Sequence, residues 1–475
     1  MESTPPPQPA ANNMLIWLVA IGFFMQTLDS TIVNTALPSM AAALGESPLR
    51  MQSVVISYAL TVALLIPASG WLADKFGTRK IFFGAILLFT LGSLLCALSG
   101  TLTQLVASRV LQGIGGAMLL PVGRLAVLRA VPRDRFLDAM SMIAIPGMLG
   151  PLVGPTLGGW LVEAASWHWI FLINIPVGVV GCIATFRLMP DFRAAEHTRF
   201  DATGFILLAA GMLMLTLSLE GLAELGMQQA TVAVLLVFGL VAIAAYWLHA
   251  TRVPAPLFPP SLFRTHSYAV GLLGNLFARL GIGAMPLLLP LLLQVSFGFS
   301  PFQAGMSMIP MVLAGMVTRQ LVSPSVKHWG YRNVLVANTI LLGVLIASFA
   351  LLTPTTPAWL RVAMFAAFGA ANAVQFTAMN TLALKDLDPA QASSGNGLLS
   401  VIMQLAMALG VAAGAAVLGL FSHHYNIPHG SGSTLQAFHA TFICVGVMTA
   451  AASGIFFQLA SDTSRQCPRT QSDVE

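Results

Sequence analysis

The chain has 475 residues, of which 57% are hydrophobic and only 8% are charged. Soluble domains carry about a quarter charged residues, so a water-soluble fold is excluded. The net charge of +5 comes from basic residues gathered between apolar runs, which makes it a topology signal, and no nucleic-acid partner is expected.

Apolar runs of about 20 residues, enough to cross a hydrocarbon core of about 30 Å, begin at Met14 and recur almost to the C-terminus. They are continuous rather than alternating and too long for barrel strands, so the expected class is an all-α polytopic membrane protein. The leading MESTPPPQPA carries no positive charge and no small-residue cleavage site follows. The first span is therefore expected to remain as an uncleaved helix behind a tail of residues 1–13.

In chain order, the first six spans are expected at 14–37, 51–73, 80–99, 102–128, 137–163 and 167–188. Span one contains LDSTIVNTALP, 28–38, which holds Asp29, the one acidic residue that the pattern places well inside the membrane. A charge at that depth costs at least a few kcal/mol, so it should face a cavity or a partner. At 100° per residue Gln26 and Asp29 share one face, while Thr27, Thr31, Asn34 and Thr35 lie on a roughly opposite one. Span one should thus be enclosed by protein on both faces. Span four carries Arg109, the proposed partner of Asp29. Burial and a nearby arginine pull a carboxylate's proton affinity in opposite directions, and a group balanced between them can change protonation during a transport cycle.

Two long polar loops, 187–204 and 249–267, bracket the seventh and eighth spans at 204–222 and 229–249. Six more follow at 267–293, 302–325, 333–352, 357–382, 396–421 and 436–460. The layout is six plus two plus six, 14 transmembrane helices in all. It divides into an N-terminal bundle (14–188), a central segment of loops and two inserted helices (189–266), a C-terminal bundle (267–460) and a tail (461–475).

Of the 22 Lys and Arg, the segments on the side of the termini hold most, among them Lys75, Arg79, Lys80, Arg129, Arg133 and Arg135. Only Arg50 and Arg361 fall in opposite loops, so both termini are expected to be cytoplasmic. A short internal repeat supports two parallel bundles: Phe76-Gly77-Thr78-Arg79 between spans two and three matches Trp329-Gly330-Tyr331-Arg332 between spans ten and eleven. Parallel repeats place a substrate site near the midplane between the halves.

Several stretches together resemble the major facilitator superfamily. GWLADKFGTRK (70–80) is similar to its loop 2–3 signature, RVLQGIGGA (109–117) to the arginine motif of helix 4, and GMLGPLVGPTLGGWL (147–161) to the glycine-proline antiporter motif of helix 5. LDSTIVNTALP and WHWIFLINIPVG (167–178) resemble features of its fourteen-helix drug:proton antiporter family. The resemblance implies the major-facilitator fold in a bacterial inner membrane, with export of a small molecule in exchange for protons. It implies proton coupling at Arg109 beside Asp29, and gating by helix 5 through Gly150, Pro151, Gly154, Pro155 and Gly158. Glycines at that spacing also allow plain tight helix packing. In the loop 2–3 motif, Gly70 and Gly77 permit close packing and a tight turn, Asp74 can face the positive N-terminus of a neighbouring helix or an arginine as a latch, and Arg79 is a further gating candidate.

Substrate-cavity candidates are Gln26, Asn34, Arg279, Arg319, Gln375 and Gln404. With Arg109 and Arg124, the arginines outnumber the single aspartate and make the expected cavity positive. That favours, as an alternative to a multidrug exporter, a dedicated exporter of an organic anion or an anionic metal chelate. A third possibility is a non-transporting membrane sensor. Among enzymes no GxSxG, HExxH or paired membrane carboxylates appear, and no GxxxxGK[ST] phosphate loop is present. No cofactor and no resident metal are expected, the histidines of SHHYNIPHG (422–430) reading as a solvated loop. The expected partners are a small-molecule substrate, protons and membrane lipid around a monomer.

Overall fold

The computed structural model describes residues 9–131, 136–193, 200–223, 229–387, 392–424 and 431–459. They form helices joined by short turns, with no strand among the described residues. In chain order these are α1 (Pro9–Leu44), α2 (Gln52–Phe76), α3 (Thr78–Ala97), α4 (Leu102–Ala130), α5 (Phe136–Ala164) and α6 (Trp169–Leu188). The inserted pair is α7 (Ala202–Ala223) and α8 (Gln229–Ala250). The last group is α9 (His266–Leu291), α10 (Pro301–Ser348), α11 (Ala358–Leu384), α12 (Ala392–His424) and α13 (Ser431–Ala451).

Thirteen stretches among the described residues are long and apolar enough to cross a membrane, and α5 supplies the fourteenth. The helix α10 contains two spans, because its path breaks at Gly330, whose φ of 74° and ψ of 158° are not helical. Gly77 turns the chain from α2 into α3 with φ 98° and ψ 142°. The two repeated motifs therefore share one backbone conformation, in the positive-φ region that glycine reaches without steric penalty.

One bundle is built from α1 to α6, with α1 on α5, and α3 on both α4 and α6; the other packs α9 on α12, and α10 on α11 and α13. Between bundles α2 meets α12, and α5 meets the first half of α10. The inserted α7 lies against both α2 and α12, while α8 packs chiefly on α7.

The apolar cores differ between the two ends. Towards the end away from the N-terminus, one cluster joins both bundles, with Ile32, Leu37 and Val54 packed among Leu288, Leu291 and Phe349. Towards the other end separate clusters lie around Phe82 and Val127 in the first bundle and around Met379 and Phe456 in the second, and a further cluster joins Leu60 and Ala63 of α2 to Met212 of α7 and to Leu398 and Leu405 of α12. The far end is sealed further by polar and backbone contacts. Gln294 Nε2 donates to Thr35 O at 3.0 Å, and Ser300 Oγ donates to Glu163 Oε2 at 3.1 Å. Gly159 abuts the Pro301 backbone, and Gly305 abuts the Pro155 carbonyl. A Cβ at either glycine would overlap main chain, so this seam exists only because both positions lack a side chain.

At the near end the central segment is pinned in place. Thr78 N–H donates to Phe192 O at 3.1 Å, and Phe192 N–H returns a bond to Thr78 Oγ1 at 3.0 Å. Asp201 caps α7 by accepting from Gly204 N–H at 2.8 Å, and it also accepts from Leu257 N–H at 3.1 Å and meets His249 Nε2 at 2.7 Å. Burial acts to raise the Asp201 proton affinity, but those three partners outweigh it and hold the carboxyl below the usual carboxylate range.

Candidate functional site

Among the described residues Asp29 and Arg109 are the only charged side chains that are fully buried. They lie 2.6 Å apart, Arg109 Nη1 to Asp29 Oδ2, at 0% and 1% exposure. The expectation that helix 1 is enclosed on both faces holds, since Thr31 on the opposite face is pressed against α5, with its Oγ1 donating to Gly150 O at 3.3 Å.

The local sequence of α4 explains how an arginine reaches that depth. In RVLQGIGGA the glycines at 113, 115 and 116 let α4 sink between its neighbours. A Cβ at Gly113 would meet Thr61 Cβ at 2.8 Å, and one at Gly116 would meet the Tyr58 hydroxyl at 2.7 Å. From α3, Gly92 faces the Gln112 backbone with similar closeness, at 2.6 Å from a built Cβ. The approach carries Arg109 and Gln112, one helical turn apart and on one face, onto Asp29.

A network of donors completes the pair. Gln112 Nε2 donates to Asp29 Oδ1 at 2.8 Å and to Ser93 Oγ at 2.7 Å, while Gln112 Oε1 accepts from Arg109 Nη1 at 2.6 Å. Asn174 Nδ2, near the start of α6, donates to Asp29 Oδ1 and to Ser93 Oγ, both at 3.2 Å. Arg109 Nε donates to Val54 O at 3.2 Å, and the guanidinium lies over the Tyr58 ring at 4.2 Å. Three side chains thus converge on one carboxyl group, Gln112 and Asn174 on Oδ1 and Arg109 on Oδ2. Sequence reasoning missed Gln112, Asn174 and Ser93. Gln112 and Asn174 stand inside two of the motifs already quoted, and their polarity within apolar helices was the available signal.

The remaining candidates separate. Gln26 and Asn34 flank Asp29 along α1, and Gln26 Oε1 and Asn34 Oδ1 are buried without a hydrogen-bond partner. Arg279 donates from Nε to Asn275 Oδ1 at 2.9 Å and covers the Phe376 ring at 4.6 Å, and its Nη2 is buried with no partner. Gln375 is committed inside the second bundle: it accepts from Asn338 at 2.8 Å and donates to Thr339 at 2.7 Å, at 0% exposure. In this conformation it fastens helices and has no surface for substrate. Gln404 is half-buried on α12. The side chains of Arg319 and Pro151, and His429, lie outside the described residues.

Among the gating candidates, Gly150, Gly154 and Gly158 face α1, where an added Cβ would meet Leu28 N, Thr31 Cβ and Ile32 O at 2.7, 3.0 and 2.6 Å. Pro155 lends its carbonyl to the far seam with Gly305. One helix therefore touches both the aspartate-bearing α1 and the opposite bundle. Asp74 Oδ1 pairs with Arg129 Nη2 at 2.6 Å, a contact within the first bundle between the near ends of α2 and α4. Arg79 donates from Nε to Met189 O, and Gly77 lies against the Asp191 carboxylate. Gly70 is exposed, with open space where a side chain would stand. A shallow crevice on the flank of the first bundle, lined by Leu18, Gly22, Met25, Ile86, Phe89 and Gly181, is almost wholly apolar and is separate from the ion pair.

The profile of the Major Facilitator Superfamily matches residues 19–411. A protein of Pectobacterium atrosepticum, provisionally named multidrug resistance protein MdtD, is 52% identical over 459 residues, covering 97% of this chain and 98% of the relative. One of the same name from Salmonella typhi is 53% identical over 452 residues, with 95% of each chain covered. Among solved structures, a POT family transporter in complex with 5-aminolevulinic acid superposes with a TM-score of 0.69 at 16% identity, over 95% of this chain and 96% of that one, a likeness of fold. With fourteen apolar spans, twelve of them in two bundles, and these relatives along nearly its whole length, the chain is a multi-pass membrane transporter and belongs to the major facilitator superfamily.

Proposed function

We propose that the protein is a proton-coupled exporter that exchanges inward-moving protons for an outward-moving small molecule, with Asp29 as proton carrier and Arg109 as its partner. The observation that carries this reading is the sealed Asp29–Arg109 pair with its ring of neutral donors. Two charges brought together out of water require compensation from each other, so changing the charge of one alters the hold on both. Protonation of Asp29 removes the ionic attraction to Arg109 and leaves neutral hydrogen bonds between α1, α3, α4 and α6. Because α5 rides on α1 and forms the far seam with α10, a change at Asp29 has a packed route to the door.

The distribution of basic residues supports both termini lying in the cytoplasm of a bacterial inner membrane, and in that orientation the closed far end faces outwards. The protein works as a monomer surrounded by lipid. Imposing a pH gradient on proteoliposomes and measuring substrate flux tests the proposal, comparing wild type with Asp29→Asn. Retention of proton-driven concentration by the mutant would overturn it.

A second reading concerns cargo. The unpartnered Arg279 Nη2 favours an organic anion or anionic metal chelate over a lipophilic cation. Binding measured separately with anions and lipophilic cations distinguishes the two, and unaltered anion affinity in both Arg279→Ala and Arg319→Ala would remove the anion reading.

A further inference from the structure

Of the three side chains that donate to Asp29, Asn174 is the one whose own chain runs straight to the far seam. Arg109 and Gln112 belong to α4, which packs on α2 and α3 inside the first bundle. Asn174 belongs to α6, which is built of two pieces, Trp169–Leu172 and Asn174–Leu188, meeting at Ile173. Pro176 falls in the first turn of the second piece, where its missing N–H costs no helical hydrogen bond. Asn174 stands just before it, 2% exposed, with Nδ2 at 3.2 Å from both Asp29 Oδ1 and Ser93 Oγ.

The stretch between Asn174 and the seam is short and firmly seated. Helix α5 ends at Ala164, just past Gly159 and Glu163, which meet Pro301 and Ser300 across the seam. From there Ala165 N–H donates to Leu161 O, Trp169 N–H to Ser166 O and Ile173 N–H to Trp169 O, each at 3.1 Å. Trp167, Ile170 and Phe171 are buried in the apolar cluster that joins both bundles, so the segment cannot shift without disturbing that packing. Trp167 Nε1 is buried here with no hydrogen-bond partner, a donor left for another arrangement to satisfy.

The contact also depends on charge. A hydrogen bond to an ionised carboxylate is roughly twice as strong as one between neutral groups, so protonation of Asp29 slackens its hold on Asn174 directly. The glycine contacts between α1 and α5, by contrast, respond to movement of α1 and not to its charge. Other titratable groups stand nearby. Arg109 of α4 pairs with Asp29, Tyr58 of α2 lies over Arg109 at 4.2 Å, and Cys96 of α3 reaches Gln112 at 3.8 Å. Towards the seam His168 stacks on Trp167 at 3.7 Å, and Glu163 of α5 accepts from Ser300.

We propose that Asn174 is a positioning residue that passes the charge state of Asp29 to the far seam through residues 165–173 and the end of α5, an inference that rests on Asp29 being the proton carrier.

Two readouts on the purified full-length protein test it. Infrared difference spectra on acidification follow the protonated-carboxyl band of Asp29, assigned by its loss in Asp29→Asn. Spin labels on cysteines replacing Ser47 and Thr355, exposed at the far ends of the two bundles, report the distance across the seam as the pH falls, the four native cysteines being changed to serine. In Asn174→Leu, similar in shape but without the amide, the carboxyl band is expected to remain while most of the acid-driven distance change is lost. Asn174→Ser, whose hydroxyl ends a bond short of the amide nitrogen, is expected to behave alike and takes its place if the leucine variant does not fold. A distance change as large as in wild type overturns the proposal, and so does a wild-type distance that does not respond. Loss of the band together with the distance change also overturns it, since Asn174 would then only set how readily Asp29 titrates. A response that persists in Asp29→Asn, as titration of His168 would produce, overturns it too. If no wild-type band is lost in Asp29→Asn, the carrier reading itself falls, a result distinct from failure at Asn174.

Discussion

Arg109 Nη1 stands 2.6 Å from Asp29 Oδ2 with neither side chain open to solvent, while the amide nitrogens of Gln112 and Asn174 each donate both to Asp29 Oδ1 and to Ser93 Oγ. The pair is the one place among the described residues where full charges are buried.

Removing one partner strands the other. Arg109→Ala and Asp29→Ala are each expected to destabilise the protein by about 3–5 kcal/mol. The double replacement Asp29→Asn with Arg109→Gln should recover most of that loss while abolishing proton-driven flux. Thermal unfolding in detergent, read beside flux in proteoliposomes, separates the two effects.

Gln112 bridges aspartate, arginine and Ser93, so Gln112→Leu strips a donor from Asp29 Oδ1 and an acceptor from Arg109. A loss of about 1.5–3 kcal/mol is expected for a hydrogen bond to a charged group. Coupling should weaken as well, seen as a lower ratio of substrate moved to protons taken up.

At the far seam Gly305 has no room for a side chain. Gly305→Val is expected to hold the far end open. Cysteines replacing Glu163 and Ser300, whose oxygens are 3.1 Å apart here, should be cross-linked readily in an otherwise unaltered chain and poorly when Gly305→Val is added.

For Asp201 the sign follows from its lowered proton affinity. A carboxyl held below its ordinary value of about 4 contributes stability that is fully present above that value and is lost as pH falls through the lower folded value. Asp201→Asn keeps a cap for α7 but loses the charge facing His249. Its deficit of about 1.5–3 kcal/mol at neutral pH should close below about pH 4, as melting curves across that range would show.

Much of this arrangement was legible in the residues. Span count and layout follow from hydropathy, and the scarcity of acids singles out Asp29, because a membrane punishes stray charge more severely than water does; Arg109 was marked by the resemblance of RVLQGIGGA to the helix 4 motif. The Gly77 and Gly330 repeat was visible as a shared aromatic-Gly-x-Arg pattern and reappears as one shared backbone geometry. Neutral polar residues were harder to place. Gln375 and Gln112 look alike in a sequence, yet one is tied to Asn338 and Thr339 and the other serves the ion pair, because which way a glutamine points depends on helix rotation and depth. The far seam was hidden for a different reason. Gly159 and Gly305 are glycines among 42, and only the crossing of α5 and α10 shows that two of them meet the opposing main chain.

That seam has a consequence for how the transporter can change over time. A door whose faces at Gly159 and Gly305 are bare backbone registers nothing about what the chamber holds, so it shuts with the same fit on any cargo. Discrimination is left to residues away from the seam, which can be exchanged one at a time while the closing surfaces stay as they are. The cargo range can therefore drift across descendants without the door ever being rebuilt.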